Sequence, residues 1–155
     1  MARKEEDLYL PIVKYIKNEL KDHWLKKHHV EITSNGCFSK HLLTRFNIIR
    51  KIQELLPRKL MPDITGFFKD TKIFVTEVKN RPLALEDIYQ VKCYAELIDS
   101  EVALLISPFD FSASDRRLLQ RREDILRFPN QRLVSIGLFN EKLEMVEKWY
   151  PRRPW

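Results

Sequence analysis

Apolar positions along the chain repeat with two periods. From Glu5 to Leu20, the residues Leu8, Tyr9, Ile12, Val13, Ile16 and Leu20 recur at helical spacing. Pro11 falls within the first two turns, where it marks either the true helix start or a bend. His29–Thr33 alternates as a short strand does and runs into the turn signal Ser34-Asn35-Gly36. Ser39 is placed to cap a second helix over Lys40–Leu56, whose stripe is Leu42, Phe46, Ile49, Ile52 and Leu56, and Pro57 stops it. The stretches MPDITGFF and KIFVTEV then read as two strands, joined at Lys69-Asp70-Thr71 into an antiparallel hairpin. A helix follows over Leu85–Asp99, then an apolar strand over Glu101–Ser107. A further helix spans Asp110–Phe128, capped by Ser112 or Ser114, and strands over Leu133–Phe139 and Leu143–Tyr150 complete the pattern.

Helices interspersed among apolar strands predict an α/β fold, a mixed central sheet flanked by helices, or α+β if the last hairpin packs apart. No repeat, low-complexity tract or linker interrupts the pattern, and with only 3 glycines in 155 residues it reads as one domain. A hydrophobic content of 44% is enough for a packed core. Cys37 and Cys93 form no CxxC, and the four histidines lack HExxH or Cys/His spacing. That pattern argues against a structural disulfide or a zinc cage and points to a reducing, cytoplasmic setting. No apolar run approaches a membrane span, and the N-terminal stretch lacks a signal peptide's apolar segment. The net charge of +6 suits an anionic partner such as nucleic acid, or simply a solvated basic surface.

Three charges interrupt the apolar runs of the predicted hairpin: Asp63, Glu77 and Lys79. An unpaired charge among Ile, Phe and Val costs several kcal/mol, so a purely structural strand has little reason to hold them. Residues two apart on a strand share a face, so Glu77 and Lys79 project together with Ile73 and Val75, while Val78 faces away. Folding at the Lys69–Thr71 turn brings Asp63 opposite Glu77 or Lys79. Two carboxylates and an ammonium converge at one sheet end, a hard-oxygen set suited to Mg²⁺ or Mn²⁺. Two similar triplets serve as controls. Glu19-Leu20-Lys21 lies on a helix, where positions i and i+2 diverge, and Asp70-Thr71-Lys72 has the composition of a hairpin tip.

Pro62-Asp63 followed by Glu77-Val78-Lys79 resembles the motif of the PD-(D/E)XK nuclease superfamily, the restriction-endonuclease-like fold. The resemblance covers Glu5–Ser107 and implies an αβ-ββ-αβ core, to which the helix after Ser39 is an insertion. It implies that Asp63 and Glu77 hold the metal, that the Val78 carbonyl joins them, and that Lys79 assists the attacking water. Gln90 and Tyr94 are similar to the QxxxY motif of RecB-like nucleases. At i and i+4 they share a helical face and reach the site or the bound strand, unless Tyr94 is a core aromatic and Gln90 a surface residue. Many members carry an acidic residue on the first helix at the metal site. At 100° per residue, Glu5 falls within the apolar arc and Glu6 points well away; Glu5 reads either as that ligand or as a first-turn charge favoured by the helix dipole.

Arg116, Arg117 and Arg121 load one late helix, and Lys40 and Arg45 the second; such residues either track a phosphate backbone or line a solvated face. The resemblance implies a Mg²⁺-dependent DNA endonuclease, with Mn²⁺ as substitute, acting as a homodimer. It would be structure-selective, as Holliday-junction resolvases are, or site-specific, as homing and restriction enzymes are. The alternatives are a non-catalytic DNA-binding or assembly module that keeps the fold, and an RNA nuclease with the same chemistry.

Overall fold

A computed structural model of the chain describes residues 4–24, 27–55 and 61–155. Among the described residues, seven strands form one mixed sheet in the order β1-β2-β3-β4-β6-β5, with β7 on the same edge as β5. The strands are β1 (His28–Ile32), β2 (Ile64–Phe68), β3 (Lys72–Val78), β4 (Val102–Ser107), β5 (Arg127–Phe128), β6 (Arg132–Asn140) and β7 (Met145–Tyr150). β3–β4 and β4–β6 are parallel and the other pairs antiparallel. The helices are α1 (Tyr9–Trp24), α2 (Lys40–Arg45), α3 (Asn47–Leu55), α4 (Leu85–Ile98) and α5 (Ala113–Arg121).

Strand alternation divides the core between the two faces. Phe74 and Val78 of β3 and Leu104 and Ile106 of β4 pack with Leu8, Ile12, Ile16 and Leu20 under α1. Ile73 and Val75, with Ala103 and Leu105, pack on the opposite face against Ile88, Val91 and Ala95 of α4 and Leu42, Ile49 and Ile52 of α2 and α3. This is the face on which the sequence places Glu77 and Lys79.

Elements differ from their expected bounds where tertiary contact overrides local pattern. The first helix begins as a 3₁₀ turn over Glu5–Leu8, and Pro11 sits in the first turn of α1, which starts at Tyr9. The helix expected over Lys40–Leu56 is two helices. Phe46 between them is extended, which turns its ring onto Phe67 at 5.5 Å between centroids, and Asn47 opens α3 with its side-chain oxygen accepting from the Arg50 guanidinium. Leu56 and Pro57 lie outside the described residues. The helix expected over Asp110–Phe128 is α5 alone, capped by Ser112, whose hydroxyl accepts from Asp115 N–H. Arg122 breaks it, a 3₁₀ turn buries Leu126, and Phe128 enters the sheet as β5 beside β6.

Gly66 is required at the centre of the β1-β2-β3 ribbon. A Cβ there would meet the His29 carbonyl at 2.2 Å and the Phe74 ring at 2.5 Å. Gly66 thus lets Phe74 lie flat across β2 and sets how closely the hairpin packs. Gly66→Ala is expected to cost about 1–3 kcal/mol, as overpacking does, seen as a lowered melting midpoint.

Candidate active site

The β2–β3 register pairs Ile64 with Thr76, so one step further the carboxylates of Asp63 and Glu77 stand side by side. Both are nearly buried, at 8% and 2% exposure. Lys79 reaches back along its own strand, and its Nζ donates to Glu77 Oε1 at 2.6 Å. Asp63 is held from several directions. Its Oδ2 accepts from Val78 N–H at 2.8 Å, its Oδ1 from the Tyr9 hydroxyl at 2.9 Å, and its main-chain carbonyl from Thr33 N–H at 2.8 Å. Glu77 Oε2, by contrast, is buried without a hydrogen-bond partner among the described residues.

An open cleft of about 550 Å³ lies over this pair, at the C-terminal ends of β3 and β4, between the start of α1, the Ser34–Asn35 turn and one flank of α4. The structure brings Glu5, Asp63, Glu77, Lys79, Gln90 and Tyr94 into its lining. Gln90 Nε2 donates to the Tyr94 hydroxyl at 3.2 Å, which leaves the phenol proton for another acceptor. Glu5 Oε2 accepts from Asn80 N–H at 3.3 Å. Glu6, expected to point away, lines the cleft mouth. The reason is the 3₁₀ turn over Glu5–Leu8, whose tighter winding invalidates a wheel drawn at 100° per residue.

Other candidates lie elsewhere. Arg45 donates to the Asp70 carboxylate and carbonyl at the β2–β3 turn, the far end of the hairpin from Asp63, with its guanidinium 4.6 Å from the Phe67 ring centroid. Arg116 is half-buried, ion-paired with Asp110 and 5.9 Å from the Tyr150 ring. Arg117, Arg121 and Lys40 are exposed. Both control triplets sit in ordinary ion pairs: Glu19 with Arg153, Asp70 with Arg45, and Lys72 with Glu101. Tyr9, Ser34, Asn35 and Met61 line the cleft without having been singled out from sequence. Tyr9 reads in the sequence only as part of the apolar stripe, and Ser34, Asn35 and Met61 carry no signal of a site.

Among the described residues, four carboxylates, those of Glu5, Glu6, Asp63 and Glu77, face one ammonium in this cleft. Burial, and then the Asp63 carboxylate, push Glu77 up to about 8 against the pull of Lys79. Burial also raises Asp63, offset in part by Val78 N–H and the Tyr9 hydroxyl. Burial works to lower Lys79, but Glu77 and the other carboxylates outweigh it and hold the ammonium charged. Burial chiefly raises both phenols, Tyr9 and Tyr94, which therefore remain donors.

The unpartnered Glu77 oxygen and the excess of carboxylate charge fit one small, hard divalent cation. Among the described residues no three His, Cys, Asp or Glu side chains form a metal-holding group, so a closed all-protein cage is not the match. Two carboxylates completed by a carbonyl and waters suit Mg²⁺, which keeps several waters. The ladder provides the carbonyl. Extending the register sets Pro62 opposite Val78, and proline has no N–H to pair with the Val78 oxygen.

No family model, curated protein or solved structure matches the chain, so the cleft is read from its own geometry.

The raised carboxyls set a pH dependence. Between the unfolded value near 4.5 and the folded value near 8, Glu77 holds more proton in the folded state. That contribution is fully present below the lower value and is lost as pH rises through the upper one. Metal-free protein should therefore lose stability from about pH 5 to pH 8.5, by at most about 1.4 kcal/mol per pH unit. Thermal melts across this range check it, and Glu77→Gln should flatten the profile.

Proposed function

We propose that this protein is a Mg²⁺-dependent endonuclease of the restriction-endonuclease-like fold that hydrolyses phosphodiester bonds in DNA, with Mn²⁺ able to substitute. The observation that carries the reading is the buried Asp63–Glu77 pair with the Lys79 ammonium beside it, open to a cleft whose described lining holds more carboxylates than cations. The strand order supports it: a hairpin bearing the acidic pair, followed by α4 and a parallel β4, is the arrangement the motif implies.

Asp63 and Glu77 would hold the cation, joined by the Val78 carbonyl. Bound there, a divalent cation neutralises phosphate charge and acidifies a water. The remaining work belongs to the chain. Lys79 Nζ, fixed by Glu77, orients the attacking water and offsets the charge that grows on the phosphoryl oxygens. Tyr94, turned by its bond from Gln90, offers its proton to a phosphate oxygen or to that water. Water adds its oxygen to phosphorus, one ester P–O bond breaks, and the water's proton leaves with the departing oxygen.

A cleft with four carboxylates repels a polyanion until a cation occupies it, which argues against a cation-free DNA-binding module that uses this cleft. The exposed Lys40, Arg117 and Arg121 are proposed as phosphate contacts outside it. Cutting both strands of a duplex takes two clefts, so the proposal includes a homodimer. It also places the protein in the cytoplasm; no described helix is long and apolar enough to cross a membrane.

Nicking of supercoiled plasmid with Mg²⁺, lost on chelation and in Glu77→Gln, is the expected result. Retardation of DNA without cleavage would favour the non-catalytic module, and preferential cleavage of RNA would reassign the substrate. Binding of Glu77→Gln protein to a duplex should weaken about fortyfold or more between 50 and 200 mM salt, as three or more phosphate contacts require. A flat titration excludes backbone tracking.

A further inference from the structure

We propose that Tyr9 is a positioning residue for the cation site, its phenol holding the Asp63 carboxylate in the orientation in which it stands beside Glu77. The inference rests on the proposed function, since it concerns the same cation.

Tyr9 opens α1 and lies on the helix's apolar stripe, packed among Leu8, Ile12 and Val13. Its ring is 7% exposed, yet its hydroxyl emerges at the cleft and donates to Asp63 Oδ1 at 2.9 Å. A buried phenol needs such a partner, and here the partner is a proposed metal ligand 54 residues away. The two proposed ligands are thereby made unequal. Asp63 has both side-chain oxygens engaged and its main-chain carbonyl bound by Thr33 and Ser34 N–H groups. Glu77 has one oxygen on Lys79 and one without a partner. Asp63 is the preset anchor and Glu77 the ligand that adjusts.

The phenol does not have to leave when a cation arrives. A carboxylate offers about four lone-pair sites, so one hydrogen bond on each oxygen leaves each able to bind a metal. Phenylalanine at this position would keep the ring among its neighbours and remove only the donor. Asp63 Oδ1 would then join Glu77 Oε2 as a second buried oxygen without a partner. The carboxylate would turn more freely, and the cation would have to order it on binding. Loss of an outer-shell partner of this kind weakens metal binding about 10–100-fold.

Calorimetric titration of Mn²⁺ into wild-type, Tyr9→Phe and Val13→Ala protein, without DNA, tests this. Val13 is buried on α1 and does not itself line the cleft, so its truncation loosens the same helix without removing the donor. The expected result is Mn²⁺ binding by wild type, at least tenfold weaker binding by Tyr9→Phe, and wild-type affinity in Val13→Ala. Equal or tighter binding by Tyr9→Phe overturns the proposal, as does an equal loss in both variants. No binding by wild type overturns the cation reading itself, and this inference with it. Should Tyr9→Phe not fold, wild-type protein decides by nuclear magnetic resonance. Tyr9 ring signals broadened by substoichiometric Mn²⁺, with those of Tyr150 unaffected, support the assignment; unaffected Tyr9 signals overturn it.

Discussion

Two carboxylates buried side by side on adjacent strands, one of them paired with the Lys79 ammonium, are the constraint around which this end of the molecule is organised. Such a pair is costly, and each surrounding element bears some of that cost. The Val78 amide is diverted from its ladder to Asp63. α1 contributes a phenol, and the turn after β1 clamps the Asp63 main chain. Lys79 folds back onto Glu77 rather than out to solvent. One oxygen of Glu77 is still unpartnered. A structural ion pair would close that gap with a second donor; the proposed cation site would leave it open.

The same logic separates the basic residues. Arg45 and Arg116 are consumed by bonds to Asp70 and Asp110, and both lie near aromatic rings that limit their reach. They hold the hairpin tip and the loop after β4 in place. Arg81 does comparable work nearer the cleft. It binds the buried Asp87 through two nitrogens, and Asp87 in turn caps the Ala84 amide, fixing where α4 starts and so where Gln90 and Tyr94 face. A chain with a net charge of +6 therefore has fewer cations available to a partner than its composition suggests.

The β2–β3 hairpin was legible because it is local: two apolar runs, a three-residue turn and period-two alternation together determine which residues share a face. From that followed the placing of Asp63 opposite Glu77 or Lys79; the register decided for Glu77. Helical spacing likewise put Gln90 and Tyr94 on one flank of α4, Ser39 at one cap and Ser112 or Ser114 at another, and the first-helix stripe on the sheet. These are relations between residues close in sequence or across one short turn, where backbone geometry leaves little choice.

What tertiary structure alone decided involves residues far apart or forces that outweigh local preference. The helix expected after Ser39 breaks at Phe46 because that ring finds Phe67, and the late helix stops at Arg122 so that Leu126 and Phe128 can be buried against the sheet. Glu6 faces the cleft because a 3₁₀ turn, not an α-turn, leads into α1. The Tyr9–Asp63 bond spans 54 residues, and nothing in a one-dimensional pattern separates a phenol packed in a stripe from one that also holds a carboxylate. Periodicity reports which face a side chain occupies; it carries no information on what meets that face from elsewhere in the chain.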